Sequence, residues 1–373
     1  MNVRAGGSPA IAAPRSRAMD AIRPFRRDDI PDVVALYNEV FPATERSGTS
    51  DLESFFDIAF FGSPLTDEDG GSLVYLGSGG DILGFLGVQP RRLSIRGRTL
   101  HAAVCTKFMV ARRAGINNAA VRMLRSVFDR PLDLVISDLA NEPARRLWEG
   151  LGGRTALLGS LYWSRALRPA RYLVSRITGR RPLKSLAFAA RPLADIADRV
   201  VARHALRWFP RPVAGHTSEN LDLDTLVTCL PTVCRERPLR PDYDARSLQW
   251  LLELMSDANP TKPLRKQLVR NAQREVVGWF LYFLERGGES NVVQMAASKR
   301  SAEAVLQMLL ADAWSQGSVV LSGRFEPGFV GPLSSHGCAL SHGPWMLVHS
   351  KQPDVLDAIL SGEAFLSRLE GEW

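Results

Sequence analysis

Arg112-Arg113-Ala114-Gly115-Ile116-Asn117 and, about 25 residues later, Asn141-Glu142-Pro143-Ala144-Arg145-Arg146-Leu147-Trp148-Glu149-Gly150-Leu151-Gly152 decide the reading of this chain. The first stretch follows a strand-like run, Val104 to Val110, and opens an amphipathic helix, Ala119 to Phe128. A short glycine-containing turn at a helix N-terminus presents unpaired backbone N–H groups and the positive end of the helix dipole. Together these suit a pyrophosphate. The second stretch closes a strand, Asp133 to Leu139, and begins another helix with Asn141 at its N-cap.

The order strand, phosphate-binding turn, helix, strand, Asn-capped helix ending in Leu-Gly resembles the core of the GNAT superfamily of acyl-CoA-dependent N-acyltransferases. In the turn, Arg112 and Gly115 match that family's pattern, and Asn117 stands where a small residue is usual. In the later helix Asn141, Ala144, Leu147, Leu151 and Gly152 match, while Trp148 replaces the usual tyrosine and Gly153 the usual phenylalanine. The resemblance covers roughly residues 20 to 165. It implies an α/β (α+β) fold, a mixed central sheet flanked by helices.

The elements outward from the motifs agree with that order. Ile22 to Arg26 reads as a strand. Asp28-Asp29 caps a helix with Ile30, Val33, Val34, Leu36, Tyr37, Val40 and Phe41 on one face, and Leu52 to Phe60 forms a second helix. Strands are predicted at Leu73 to Leu76 and Ile82 to Val88. A hairpin follows around Arg96-Gly97-Arg98, with Ala156 to Leu167 as the closing strand or strands.

From about His216 the pattern begins again. Arg274-Glu275-Val276-Val277-Gly278-Trp279-Phe280-Leu281 repeats the character of Gly80-Asp81-Ile82-Leu83-Gly84-Phe85-Leu86-Gly87. Asn291 to Ala297, Ala302 to Trp314, Val319 to Ser322 and Trp345 to His349 supply a strand, a helix and two later strands of a second copy, with a terminal helix about Asp354 to Leu360. Its turn is Ser298-Lys299-Arg300-Ser301, with no glycine to let backbone approach a pyrophosphate. The expected organisation is a disordered lead-in at 1–19, an acyltransferase-like domain at 20–167, a basic helical linker at 168–215, and a second domain at 216–373 that lacks the phosphate turn.

Composition bounds the rest. The 373 residues suffice for two domains, and 45% hydrophobic with 23% charged residues is the balance of a globular chain. The four cysteines, Cys105, Cys229, Cys234 and Cys338, match neither metal-ligand nor disulfide spacing, so no metal is expected and a reducing cytoplasm is the default compartment. Between Arg168 and Gly215 lie eleven Lys/Arg and two acidic residues, a net of +9 against +8 for the whole chain. The basicity therefore belongs to one segment. Its apolar face (Leu193, Ile196, Ala197, Val200, Val201, His204, Trp208) reads as a linker helix packed on a domain, with contact to an anionic membrane as the alternative. It has few aromatics and no stacking pattern, so no nucleic-acid partner is expected.

For function, the resemblance implies acetyl-CoA or another acyl-CoA as co-substrate and direct transfer to an amine whose identity the sequence leaves open. The N–H groups of Arg113, Ala114, Gly115, Ile116, Asn117 and Asn118 would meet the pyrophosphate, with Arg112 and Arg113 adding charge. Met109 and Val110 would offer backbone to the pantetheine arm, and Asn141 would reach it or serve only as a cap. Trp148 cannot act as the acid that the family draws from tyrosine, because an indole N–H does not ionise usefully. Tyr162 is the nearest alternative acid. Glu39, His101 and Asp138 are conceivable bases, and Asp138 has the best position. A bare tryptophan end at Trp373 suggests a docked tail, and a frayed helix is the alternative. Two other functions remain open: a non-catalytic acyl-CoA-binding or scaffolding protein, and a tRNA-dependent aminoacyltransferase of related fold.

Overall fold

A computed structural model describes residues 21–41, 52–65, 71–112, 116–178, 198 and 211–373. The lead-in expected at 1–19 and the apolar helix face expected at 193–208 lie outside these residues. The first half runs β1 (Ala21–Pro24), α1 (Ile30–Val40), α2 (Leu52–Phe61), β2 (Leu73–Leu76), β3 (Ile82–Ile95), β4 (Arg98–Val110), α3 (Ile116–Phe128), β5 (Leu134–Ala140) and α4 (Glu142–Gly150). β6 (Arg154–Thr155), β7 (Leu161–Ala166) and α5 (Pro169–Thr178) follow. Asp198, buried and within the basic segment, caps α5 by accepting the backbone N–H groups of Ala170 and Arg171 at 2.9 and 3.1 Å.

The second half repeats the order of the first. It runs β8 (Thr217–Asn220), α6 (Leu223–Val233), a short β9 (Leu239–Pro241), α7 (Ala245–Ala258), β10 (Leu264–Arg270), β11 (Val276–Phe283), β12 (Glu289–Ala297), α8 (Ala302–Ser315), β13 (Val320–Arg324) and α9 (Val330–Ser335). It ends with β14 (Ala339–His342), β15 (Trp345–His349) and α10 (Pro353–Leu360).

Local chemistry accounts for the matched elements. Arg96 and Gly97 have φ of 49° and 86°, the consecutive left-handed residues of a tight hairpin turn whose twist suits the flanking strands. Gly84 and Gly278 do the same work in the two copies. A Cβ at Gly84 would stand 3.1 Å from Met123 of α3, and one at Gly278 would stand 2.7 Å from Val305 of α8 and collide with the Ala296 carbonyl. Each glycine lets a helix lie directly on its sheet.

Two sheets result. The first has the order β1-β2-β3-β4-β5-β15-β6, with β9 added to β3; the second has the order β14-β7-β13-β12-β11-β10-β8. Here the structure corrects two expectations. β7, read as closing the first sheet, lies between β13 and β14 in the second, with Tyr162 opposite both Arg324 and Ser341. β15, read as a strand of the second copy, lies between β5 and β6 in the first, with Val348 opposite Ile136 and Arg154. Each copy thus lends one strand to the other. The reason is geometric: without β15 the far edge of β5 would present unpaired backbone groups, and an open edge is costly when its flanking side chains are buried. Trp163 on β7 and Leu347 on β15 are both wholly buried in their adopted sheets. The strand expected at Ile82 to Val88 and the first arm of the hairpin form one 14-residue strand. No helix among the described residues is long and apolar enough to cross a membrane.

Because each sheet holds a strand of the other copy, the halves should not fold alone. Chains of residues 1–190 and 191–373 made separately are expected to be aggregated or to lack dispersed NMR spectra, and to fold when co-expressed. A well-dispersed spectrum from either half by itself would contradict the strand exchange.

Candidate functional site

β4 and β5 run parallel and in register from Ala102 opposite Leu134 to Val104 opposite Ile136, and then separate. The cause lies in β4. Its pairing with β3 jumps from Gly87 opposite Thr106 to Phe85 opposite Met109, so β4 carries an extra residue there. Lys107 within that bulge has φ of 49°. A bulge bends the strand that contains it, and the bend opens a wedge toward the strand ends.

The wedge is a cleft of about 480 Å³. Met109 and Val110 of β4, Val121 of α3, and Asn141 and Leu147 at α4 are among the residues lining it. Asn141 is a helix cap, its side-chain oxygen accepting the Ala144 N–H at 3.0 Å, and the residue also lines the cleft. Arg112 and Asn118 are exposed at the mouth of the connection into α3. Arg113, Ala114 and Gly115 lie outside the described residues. Ile116 and Asn117 form the first turn of α3. Trp148 is a core residue, 1% exposed, with its ring edge-on to Phe128 at 5.0 Å.

Charge is buried along β5, before the residues that line the wedge. β5 has a bulge of its own against β15, where the pairing steps from Ala140 opposite Trp345 to Ser137 opposite Leu347. The backbone N–H groups of Asp138 and Leu139 at that bulge both donate to one carboxylate oxygen of Glu372, at 2.9 and 3.0 Å, and the Ser137 hydroxyl donates to the same atom at 2.7 Å. Glu372 returns its own N–H to Asp138 at 2.8 Å. The C-terminal tail is therefore docked at the junction of the two sheets.

Asp138 is 1% exposed and ion-paired with Arg324 of β13 and Arg368 of the tail. Burial alone would push its carboxyl up, but Arg368 and Arg324 hold it down at about 2. Tyr162 lies opposite Arg324 across the β7–β13 ladder, where it favours the charged guanidinium electrostatically. Gly371 must be glycine, because a Cβ there would collide with the Asp138 carboxylate.

Further tail contacts escaped the sequence reading. Ser367 and Glu370 form a reciprocal cap around the last turn, with the Glu370 carboxylate accepting the Ser367 N–H at 2.6 Å. Tyr243 donates to the other Glu370 oxygen, and Gln294 donates to Ser367 at 3.1 Å. Buried Arg91 donates to the Glu370 and Gly371 carbonyls at 3.1 and 3.2 Å, with its guanidinium 5.3 Å from the Trp250 ring centre. Burial pushes Glu370 up to about 8 and also raises Glu372, where the nearby Asp138 charge adds to the effect. The Ser-x-x-Glu spacing of Ser367 to Glu370 was the available signal for this turn.

Comparison with known proteins gives the fold. No protein-family model matches the chain, and no curated protein matches it. Solved structures do match. A probable N-acyltransferase from Enterococcus faecalis V583 superposes with a TM-score of 0.58 at 10% identity, over 91% of this chain and 75% of that one. A GCN5-related N-acetyltransferase from Anabaena variabilis ATCC 29413 gives 0.56 at 11% identity, over 91% and 75%. Saccharomyces cerevisiae N-myristoyltransferase with bound myristoyl-CoA gives 0.51 at 12% identity, over 96% and 86%. The chain has a GNAT-like N-acyltransferase fold. In this GNAT-like frame the wedge between β4 and β5 belongs to the first copy, and the tail of the second meets β5 at its bulge.

Two measurements follow from the buried charges. Asp138→Asn strips the counter-charge from two buried arginines and should cost about 3–5 kcal/mol, read as a lower urea midpoint. Glu370, at about 8, binds its proton more tightly folded than unfolded, so its contribution is complete below pH 4 and is lost as pH rises toward 8. The melting temperature should therefore fall more steeply between pH 5 and 8 in the wild type than in Glu370→Gln. Parallel curves for the two proteins would refute that assignment.

Proposed function

We propose that this chain is an acyl-CoA-dependent N-acyltransferase that transfers an acyl group to a primary amine by direct attack, with acetyl-CoA as the first co-substrate to test. The observation that carries this reading is the cleft between the diverging ends of β4 and β5. It has apolar walls, strand-end backbone at Met109 and Val110, and the start of α3 at its mouth. The pantetheine arm would lie in the cleft against Met109, Val110 and Asn141. The pyrophosphate would rest on the N–H groups of the turn from Arg113 to Asn118, with Arg112 and Arg113 supplying guanidinium groups suited to phosphate oxygens. In the structures it resembles, acyl-CoA binding is recorded for the yeast enzyme, which holds myristoyl-CoA. Acyl length is left to the titration.

Direct transfer needs a group to take the amine proton as the N–C bond forms and the thiolate leaves. Asp138 is poorly suited, since two guanidinium groups occupy its carboxylate and hold its pKa far below neutrality. We assign Asp138 to anchoring the tail, and Tyr162 to orienting Arg324 within the same network. Glu372 is the proton acceptor we propose, through its second carboxylate oxygen, since the first already accepts from the Ser137 hydroxyl and the two bulge N–H groups. It lies at the β5 bulge, close enough to the β4 bulge to act electrostatically on Lys107, and its pKa is raised. The second copy then serves to hold the tail in place, through Arg324, Gln294 and Tyr243. The compartment we assign is the cytoplasm.

Calorimetric titration with acetyl-CoA and longer acyl-CoAs should show saturable binding that falls at least tenfold in Gly115→Glu, which places a carboxylate in the phosphate turn. Absence of binding by any acyl-CoA would sink the proposal. Free-thiol release across a panel of primary amines then separates an enzyme from a scaffold that only binds.

For Glu372→Gln, kcat should fall about 100-fold or more, in the range of general-base catalysis, with acyl-CoA affinity unchanged. Full activity in that variant would remove Glu372 from the mechanism while leaving the acyl-CoA site standing.

A further inference from the structure

The second half has its own cleft at the place that corresponds to the first. β12 and β13 are parallel from Glu289 opposite Val320 to Val292 opposite Gly323, and their ends then diverge. A cavity of about 290 Å³ opens there. Its wall takes in Met295 to Ala297 at the end of β12 and Ala302 at the start of α8, as the first cleft takes in Phe108 to Val110 and Ala120. Glu326 stands where Asn141 stands. Each follows the strand parallel to its predecessor, each sits at the N-cap of the helical turn that comes next, each has a proline within the following two residues, and each lines its cleft.

The charge is what differs. Where the first copy has a glycine turn and a neutral amide, the second has Ser298-Lys299-Arg300-Ser301 and a carboxylate. Glu326 is 8% exposed, and one of its oxygens accepts from Arg237 at 2.8 Å. Arg237 also donates to the Gly362 carbonyl at 2.9 Å, so its guanidinium is already engaged. At the rim Lys299 faces Glu236 at 3.7 Å. Both lining cations are thus matched by lining carboxylates, which leaves no surplus positive charge for a phosphate. Burial outweighs Arg237 and pushes Glu326 up to about 7, so its charged form is incompletely supported by the protein and would gain from an added cation. Much of the remaining wall is apolar, with Val233, Met295, Phe329 and Phe365 among its residues.

We propose that this cavity binds an organic ammonium ligand with an apolar body, the ammonium on Glu326 and the body against Phe329 and Phe365. The duplicated cleft has exchanged an anion site for a cation site. Occupancy would bear on the first cleft, because Phe365 begins the tail that carries Glu372, and Arg324, two residues before Glu326, holds Asp138.

The test uses the full chain and 2-phenylethylamine as probe at pH 8, with 2-phenylethanol and 3-phenylpropionate as uncharged and anionic counterparts, read by calorimetry. The amine should bind at least tenfold more tightly than either counterpart. Glu326→Gln should weaken it at least tenfold, and Ala297→Trp, which fills the cavity, should abolish it. Val121→Trp, which fills the first cleft, should leave it unchanged. Should Glu326→Gln fail to fold, the three probes on the wild type and on Ala297→Trp still decide. The proposal is overturned by no saturable amine binding, by equal binding of the alcohol, or by loss in Val121→Trp in place of Ala297→Trp. Acyl-CoA titration reads the other cleft, so failure here is distinct from failure there.

Discussion

The Asp138 carboxylate is the point on which the molecule is assembled. It belongs to β5 of the first sheet, and its partners come from elsewhere: Arg324 from the second sheet, Arg368 and the Glu372 N–H from the tail. A carboxylate this deeply buried would be prohibitive without compensation, and truncating either side leaves an unmatched charge in the interior. Few arrangements of two sheets and a tail can satisfy it. Buried Arg91, Glu370 and Gln294 extend the same logic outward, each placed so that a backbone or side-chain group of the tail completes it.

Much of the first half was legible because its signals are local. A capping Asn before an apolar helix, a glycine turn after a strand, and paired left-handed residues at Arg96-Gly97 each specify structure within a few residues. The second copy was legible through Gly278, since the close approach of a helix to a sheet demands the same small residue in both copies. The exchange of β7 and β15 was not. Burial pattern tells which faces of a strand are covered, and says nothing of which edge it joins when the partner is some 200 residues away. β3, a single strand, carries Pro90 in its interior. Pro90 is tolerated there because it falls between the stretches of that edge paired with β2 and with β9, where a ladder N–H is not required.

The cleft residues were legible where backbone sets them and illegible where the tail does. Met109, Val110 and Asn141 line the wedge because they end strands or begin a helix, positions that motif spacing locates. Glu372 has no such marker. Its placement arises from two N–H groups freed by a bulge in a strand more than 230 residues earlier. Asp138 was identified by position alone, and position could not reveal that two arginines from distant segments would converge on it.

The reciprocal strands also set an order on biosynthesis. The N-terminal sheet leaves the ribosome with the far edge of β5 uncovered, and β15 emerges roughly 200 residues later, about 10–40 s at ordinary elongation rates. During that interval a buried strand is exposed as an open template for pairing with other chains. Arg368 and Glu372, which tie Asp138 down, are made later still. A prematurely terminated product is then unable to finish its interior, and the quality-control machinery meets it as an unfolded chain instead of a slightly shortened protein.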